Sequence, residues 1–396
     1  MTGLLTPDAT GADPVFRIRW ANGLYVSGDD GARLLDLTSG WNVVNAGWAN
    51  VEIAKACKAA ITALPFRPAW VSEEALSDLQ EMFRRIAPGY TMICSCTGAE
   101  AVDNALKVAR MVTGRPAVLT FEGSYHGSAT GAALASSEEV SHLDSLDLER
   151  FRVSVPRPGI ADDLEGLRAL LDQRDDIGAV VLETVATNSG CAVLDPEIGK
   201  QICGLMAEYG VLVIGDEIGT GMNRTGSILT WPEQQCRPDL LVMGKALTNG
   251  FYPLSLCLVK NNLVAFVDSQ AFASTYGGAP LGCAAALATI SFHEEAKLGA
   301  AAIRNGTRLK AELHGMLDAN PFIGAIQGRG LDLAIHIRWQ TMRNLKPRTL
   351  LQRLRERGLF ATVSAGEHAL MLMPPLTIDD RAIDFALEQL SNVLRD

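Results

Sequence analysis

A lysine and an aspartate each close an apolar run in this chain. Lys245 follows residues 240–244 in "PDLLVMGKALTNG" (238–250), and Asp216 follows residues 211–215, inside "GDEIGTG" (215–221). A lysine at the end of a buried strand is held there against its charge, because desolvation disfavours the ammonium. With a depressed pKa it is an amine nucleophile, and imine formation with a carbonyl is the commonest use of such a group. The carboxylate has a plain role, capping a helix or pairing with an ion. Its chemical role is to hold a protonated ring nitrogen of an aldehyde cofactor bound by the lysine. Thr97 and Glu183 also follow short apolar runs. In an open parallel sheet, ligands bind beyond the carboxyl ends of the strands, so four polar groups at such ends suggest one shared site.

The segment "SCTGAEAVDNALKVAR" (95–110) supplies an anion site. Thr97, Gly98 and Ala99 lie where a strand turns into a helix, and small residues let a phosphate approach the first free N–H groups. The segment "FEGSYHGSATG" (121–131) presents Tyr125 and His126 after another strand. In the plain reading, the ring packs and the imidazole satisfies a hydrogen bond.

The elements that must position these groups are strands alternating with helices. Strand candidates are residues 92–94, 117–121, 179–182, 211–214, 240–243 and 254–259. Val102, Ala105, Leu106 and Ala109 follow the i, i+3, i+4, i+7 rule of a helix with one buried face. Nearly continuous apolar strands separated by such helices indicate an α/β fold, with a mostly parallel sheet covered on both sides. Before residue 51 the chain gives short strand-like pieces, 16–20 and 24–26, between glycine turns. After residue 284 it gives a long helical stretch, strand-like segments at 331–337 and 369–373, and a closing helix at 379–394. This divides the chain into an N-terminal segment (1–50), a large domain (51–284) and a small α+β domain (285–396) that the N-terminal segment completes.

Composition excludes several classes. The 396 residues carry a net charge of -10, with 48% hydrophobic and 20% charged residues. No Lys/Arg run offers a nucleic-acid or acidic-membrane footprint. The uncharged run 269–292 holds Gly277, Gly278 and Pro280 and reads as a loop feeding a helix, not as a membrane span. Eight cysteines are scattered, and no CxxC accompanies a histidine cluster, so no metal site is expected. With no signal peptide at the N-terminus, the cysteines read as reduced thiols of a cytoplasmic protein.

Taken together, these blocks resemble the class III (ω-amino group) pyridoxal-phosphate aminotransferases of fold type I. The resemblance runs from "LLDLTSGWNVVNAGW" (34–48) to "LMPPLTI" (372–378). It implies a seven-stranded, mostly parallel sheet between helices, and a cofactor, pyridoxal 5'-phosphate, joined to Lys245 as a Schiff base. Asp216 would hold the pyridine nitrogen protonated and make the ring an electron sink. Tyr125 would stack on one ring face and Ile218 would pack on the other. Gly98 and Ala99, with Thr97 nearby, would meet the phosphate, and His126 and Glu183 belong to the cofactor-binding set. Thr275 matches a threonine that reaches the phosphate of the neighbouring subunit, which implies a homodimer with shared sites. Trp41 resembles an aromatic that lines the substrate pocket. The implied reaction is ping-pong: an amine donor leaves as a carbonyl compound, and a carbonyl acceptor then takes up the amino group.

The departures from the family pattern concern the substrate. Where many members read "EPxQxE", this chain reads "ETVATN", so Asn188 stands in place of the glutamate that pairs with an arginine. Met371 stands where that arginine belongs, and Thr362 where amine transaminases place another mobile arginine. Losing both partners is coherent, because either charge alone would be buried and unpaired at about 3–5 kcal/mol. Asn188, Met371 and Trp41 are therefore read as pocket residues for an acceptor without an adjacent carboxylate, such as a biosynthetic scaffold or a modified peptide end. Gly219 replaces a glutamine that usually touches the cofactor's phenolic oxygen, and Asn223 replaces a glycine. An aminomutase, racemase or decarboxylase would keep the same cofactor residues. A non-catalytic relative would be expected to lose Lys245 or Asp216. A nicotinamide enzyme would need a glycine fingerprint that is missing after the first strand.

Overall fold

The computed structural model describes residues 16–29, 31–136, 149–157, 163–317, 320, 322–339, 346–364, 366 and 369–394. Its centre is a seven-stranded sheet. In chain order the strands are β1 (Tyr90–Ser95), β2 (Ala117–Phe121), β3 (Arg152–Val155), β4 (Ile177–Glu183), β5 (Leu212–Asp216), β6 (Leu240–Met243) and β7 (Ser255–Lys260). Their spatial order is β1-β7-β6-β5-β4-β2-β3. The block β6-β5-β4-β2-β3 is parallel, and β7 runs antiparallel to both β6 and β1. All six expected strands are present. The seventh, β3, escapes an apolar-run search because its sequence RVSV mixes Arg152 and Ser154 into an edge strand paired only with β2.

Alternation along each strand covers both faces of the sheet. Val180 and Leu182 are buried with Leu119, Val213, Leu241 and Leu258, while Ala179 and Val181 are buried on the other side with Val118, Ile214, Val242 and Cys257. Each fully buried Val, Leu or Ile among them contributes about 1.5–3 kcal/mol, so both faces stabilise the sheet that carries the strand ends. The helix Gly98–Thr113 lies against it through Val102, Ala105, Leu106 and Ala109, as the spacing predicts. It starts in a capping box: Thr97 Oγ1 accepts from the Glu100 N–H at 3.2 Å, and the Glu100 carboxylate accepts from the Thr97 N–H at 3.2 Å. It stops at Gly114, whose φ of 68° is the left-handed conformation that glycine permits.

A separate apolar cluster joins the two ends of the chain. Leu35, Leu37, Ala46 and Ile53 pack with Leu333, Leu370, Leu387 and Leu390. The strand Arg33–Asp36 pairs in parallel with Leu359–Phe360. The expected strand at 16–20 starts later, as Trp20–Asn22, and pairs with Tyr25–Ser27. The expected boundary at residue 284 falls inside the helix Pro280–Glu295, the helix into which the uncharged run feeds. Among the described residues, no helix is long and apolar enough to cross a membrane, and no group of metal-binding side chains assembles.

One sequence expectation is corrected. Cys203 and Cys236 form a disulfide, with Cα atoms 6.3 Å apart. Cys203 lies on the helix Pro196–Tyr209, and the short turn Trp231–Gln234 packs on that helix and delivers Cys236 to it. Nothing in a separation of 33 residues announces this pairing. The other six cysteines are free thiols.

Candidate active site

The site forms at the carboxyl ends of β4, β5 and β6. Parallel register sets Asp216, the last residue of β5, directly beside Glu183, the last of β4. Asp216 is buried, and both of its oxygens are engaged: Oδ1 accepts from the Ile218 N–H at 2.8 Å, and Oδ2 lies 2.6 Å from His126 Nδ1. Burial opposes an imidazolium at His126, but the hydrogen bond and charge of Asp216, backed by Glu183, outweigh it and hold its pKa above the ordinary value. The imidazole thus donates to Asp216 Oδ2. Burial pushes the Glu183 carboxyl upward, against the positive charge of His126.

Lys245 opens the turn Lys245–Thr248 directly after β6, with a left-handed backbone at φ 44°. A residue other than glycine holds such a conformation at about 1–3 kcal/mol and only where its surroundings fix it, which is common at functional sites. Burial lowers the Lys245 pKa below its usual value, countered by the charges of Asp216, Glu183 and Asp332. Its amine is therefore closer to a free nucleophile than a surface lysine is.

These groups line a cavity of about 200 Å³. Of the expected site residues, the structure brings Gly98, Ala99, Tyr125, His126, Glu183, Asn188, Asp216, Ile218 and Lys245 to its wall. Gly98 and Ala99 belong to the first turn of the helix Gly98–Thr113, where free N–H groups and the helix dipole favour an anion. Gly98 leaves room for Ile218: a Cβ there would sit 3.0 Å from Ile218 Cδ1, so that side chain would have to give way. Thr97 stands just outside as the helix cap.

Besides Thr97, three further expected residues do not line the cavity. Thr275 is exposed, in the loop before the helix Pro280–Glu295. Met371 is fully buried in an apolar cluster with Val185, Cys191, Ala334, Ala369 and Met373. Trp41 packs on that cluster, within a left-handed turn, Ser39–Asn42, whose φ values run from 49° to 68°. Sequence reasoning missed Gly127, Ser128 and Thr187 at the cavity wall. It also missed two fully buried charges nearby, Arg224 and Asp332.

Arg224 donates to the carbonyls of Leu331 (3.0 Å) and Pro374 (2.7 Å), to Ser39 Oγ (3.1 Å) and to Asn45 Oδ1 (2.5 Å). Asp332 accepts from Thr187 Oγ1 at 2.8 Å, Asn42 Nδ2 at 3.2 Å and Cys191 Sγ at 3.6 Å. Burial raises the Asp332 pKa, and the Arg224 charge followed by these donors oppose the rise. Glu217, the second acid of "GDEIGTG", points away from the chemistry. Its Oε1 accepts from Thr230 N, Thr230 Oγ1 and Trp231 N, and its Oε2 accepts from Thr220 Oγ1.

A lysine whose pKa is lowered by burial, a buried carboxyl group hydrogen-bonded to histidine, and a helix start opened by glycine fit one cofactor. They suit the aldehyde, ring nitrogen and phosphate of pyridoxal 5'-phosphate, on the sheet of a fold type I enzyme. The His126 Nε2 and Glu183 Oε2 atoms, buried without hydrogen-bond partners among the described residues, show polar capacity left over at this wall.

Comparison with known proteins gives the same class. The aminotransferase class-III family model matches residues 8–394, and the chain belongs to that family; it is a pyridoxal-phosphate-dependent aminotransferase. It is 30% identical over 378 residues to the 5-aminovalerate aminotransferase DavT of Pseudomonas putida, covering 90% of this chain and 88% of that one. It is 27% identical to an ornithine aminotransferase of Bacillus anthracis, covering 94% and 93% of the two chains. Among solved structures, an amine transaminase from an uncultivated Pseudomonas species superposes with a TM-score of 0.91 at 24% identity, over 100% of this chain and 99% of that one. The Toxoplasma gondii ornithine aminotransferase gives 0.87 at 24% identity, over 97% and 91%.

Proposed function

We propose that this aminotransferase moves an amino group from an amine donor to a ketone or aldehyde with no carboxylate beside its carbonyl, in two alternating half-reactions. When bound, pyridoxal phosphate supplies an electron sink for the charge left on the substrate carbon. Lys245 Nζ would hold the cofactor's aldehyde carbon until an amine displaces it and, with its pKa lowered by burial, the freed amine would accept and return the substrate proton. Asp216, held by His126 and the Ile218 N–H, would bind the ring nitrogen. Gly98 and Ala99 would hold the phosphate, and Tyr125, Ile218 and Glu183, which line the same cavity, would contact the cofactor ring. Relatives named for 5-aminovalerate and ornithine, and a neighbour described as an amine transaminase, support an amine as donor.

The observation that carries the acceptor reading is the cavity wall. Among the described residues that line it, none is an arginine, and Asn188 is there in place of an acid. Met371, at the position where many members of the family place a carboxylate-binding arginine, is sealed in apolar packing. A guanidinium there would lie unpaired in the core. The test is an acceptor screen with the cofactor-loaded enzyme: ketones and aldehydes without an adjacent carboxylate should outpace 2-oxoglutarate by at least about tenfold in kcat/KM. Faster turnover of 2-oxoglutarate would overturn the reading. A cytoplasmic location belongs to the same proposal and is checked by cell fractionation.

A further inference from the structure

The space beside Lys245 has a second polar wall that the transamination chemistry does not use. A Cβ built on Gly219 would lie 3.3 Å from Thr187 Oγ1 and 3.9 Å from Lys245 Nζ, so both atoms reach into one gap that glycine leaves open. Thr187 lines the cavity, and its hydroxyl donates to Asp332 Oδ2 at 2.8 Å. Asp332 is fully buried behind it and receives two further donors, Asn42 and Cys191. Both of those residues hold left-handed backbones, at φ 61° and 58°, so the chain is bent on each side to serve this carboxylate.

A hydroxyl has one proton and two lone pairs. With its proton committed to Asp332, Thr187 offers the cavity an acceptor only, and the charge behind it strengthens that acceptor. We infer that Thr187 and Asp332 form a specificity-determining pair that selects substrates carrying a second hydrogen-bond donor, a hydroxyl or an ammonium, a few bonds from the exchanged amino group. The inference rests on the transaminase reading and names the substrate class of that same site. Thr187 makes the contact, and Asp332 acts through it as a positioning residue that favours the cation over the neutral donor.

The test compares propylamine, 3-aminopropan-1-ol and 1,3-diaminopropane on the cofactor-loaded enzyme. Calorimetric binding is read alongside kcat and KM. The aminoalcohol and the diamine are expected to be favoured about tenfold or more over propylamine, mainly in KM and in binding, with the diamine first. Thr187→Val should remove both preferences and Thr187→Ser should restore them. Asp332→Asn should bring the diamine down to the level of the aminoalcohol. Should Asp332→Asn melt at the assay temperature, the Thr187 pair still decides the matter. Equal binding of all three amines in the unaltered enzyme overturns the inference, as does a preference that survives Thr187→Val. Propylamine converted without any preference leaves the transaminase reading standing. Calorimetry ranks the three amines even if none of them turns over.

Discussion

Asp216 and Glu217 are adjacent acids with opposite duties. Asp216 faces the cavity with His126 against it, and Asp216→Asn should keep the protein able to bind pyridoxal phosphate while kcat falls by about 10²–10⁴. Near-normal rates would remove Asp216 from the reaction. Lys245→Ala should in addition lose borohydride labelling of the cofactor onto the chain. Glu217 faces inward, and burial raises its pKa from 4.5 to about 7. The folded state therefore binds this proton more tightly than the unfolded chain does, and the contribution of Glu217 to stability declines as pH rises from about 4.5 to about 7. Glu217→Gln keeps the acceptor for Thr230 and Trp231 but has no proton to lose. Its melting temperature relative to the unaltered protein should rise across that window, and a constant difference would contradict the assignment. Asp216 and Lys245 were legible because they end apolar runs. Asp332 was not, because a lone acid among alternating residues in "GLDLAIHI" reads as the solvent face of a strand, whereas here both faces are covered.

Among the elements, those that carry a periodic apolar pattern were recovered from sequence: the six apolar strands and the helix Gly98–Thr113. What escaped depended on partners distant in the chain. The edge strand β3 needs β2 to define it, and the wall residue Thr187 lies in a loop that only tertiary packing turns inward. The Cys203–Cys236 bridge belongs to this second group. It encloses β5, so it cross-braces the segment that carries Asp216. A bridge closing a loop of this size contributes about 2–4 kcal/mol by restricting the unfolded chain. Cys203→Ser, or treatment with reductant, should lower the melting temperature measurably. No change on reduction would mean that the bridge does not form in solution.

At the scale of the whole molecule, one face is unusually apolar for a chain acting alone. Trp70 is 88% exposed, Phe266 61% and Tyr276 55%. A groove of about 550 Å³ lined in part by Trp70, Val264, Phe272 and Gly277 runs beside them. Exposed apolar patches of this kind mark association surfaces. Thr275 lies next to Tyr276, outside its own chain's cavity, which is compatible with the shared site that the family resemblance implies. Sedimentation should show a dimer, and Trp70→Asp should yield monomers with little activity. A fully active monomer would defeat the shared-site proposal.

Arg224 ties together stretches far apart in the chain: Ser39 and Asn45 near its start, Leu331 and Pro374 near its end. During synthesis the early partners leave the ribosome long before the late ones. The large sheet can therefore form while the Arg224 guanidinium still waits in water, and its pocket is sealed only once residue 374 has been made. A chain that stops short of Pro374 leaves this guanidinium without one of the carbonyls that hold it.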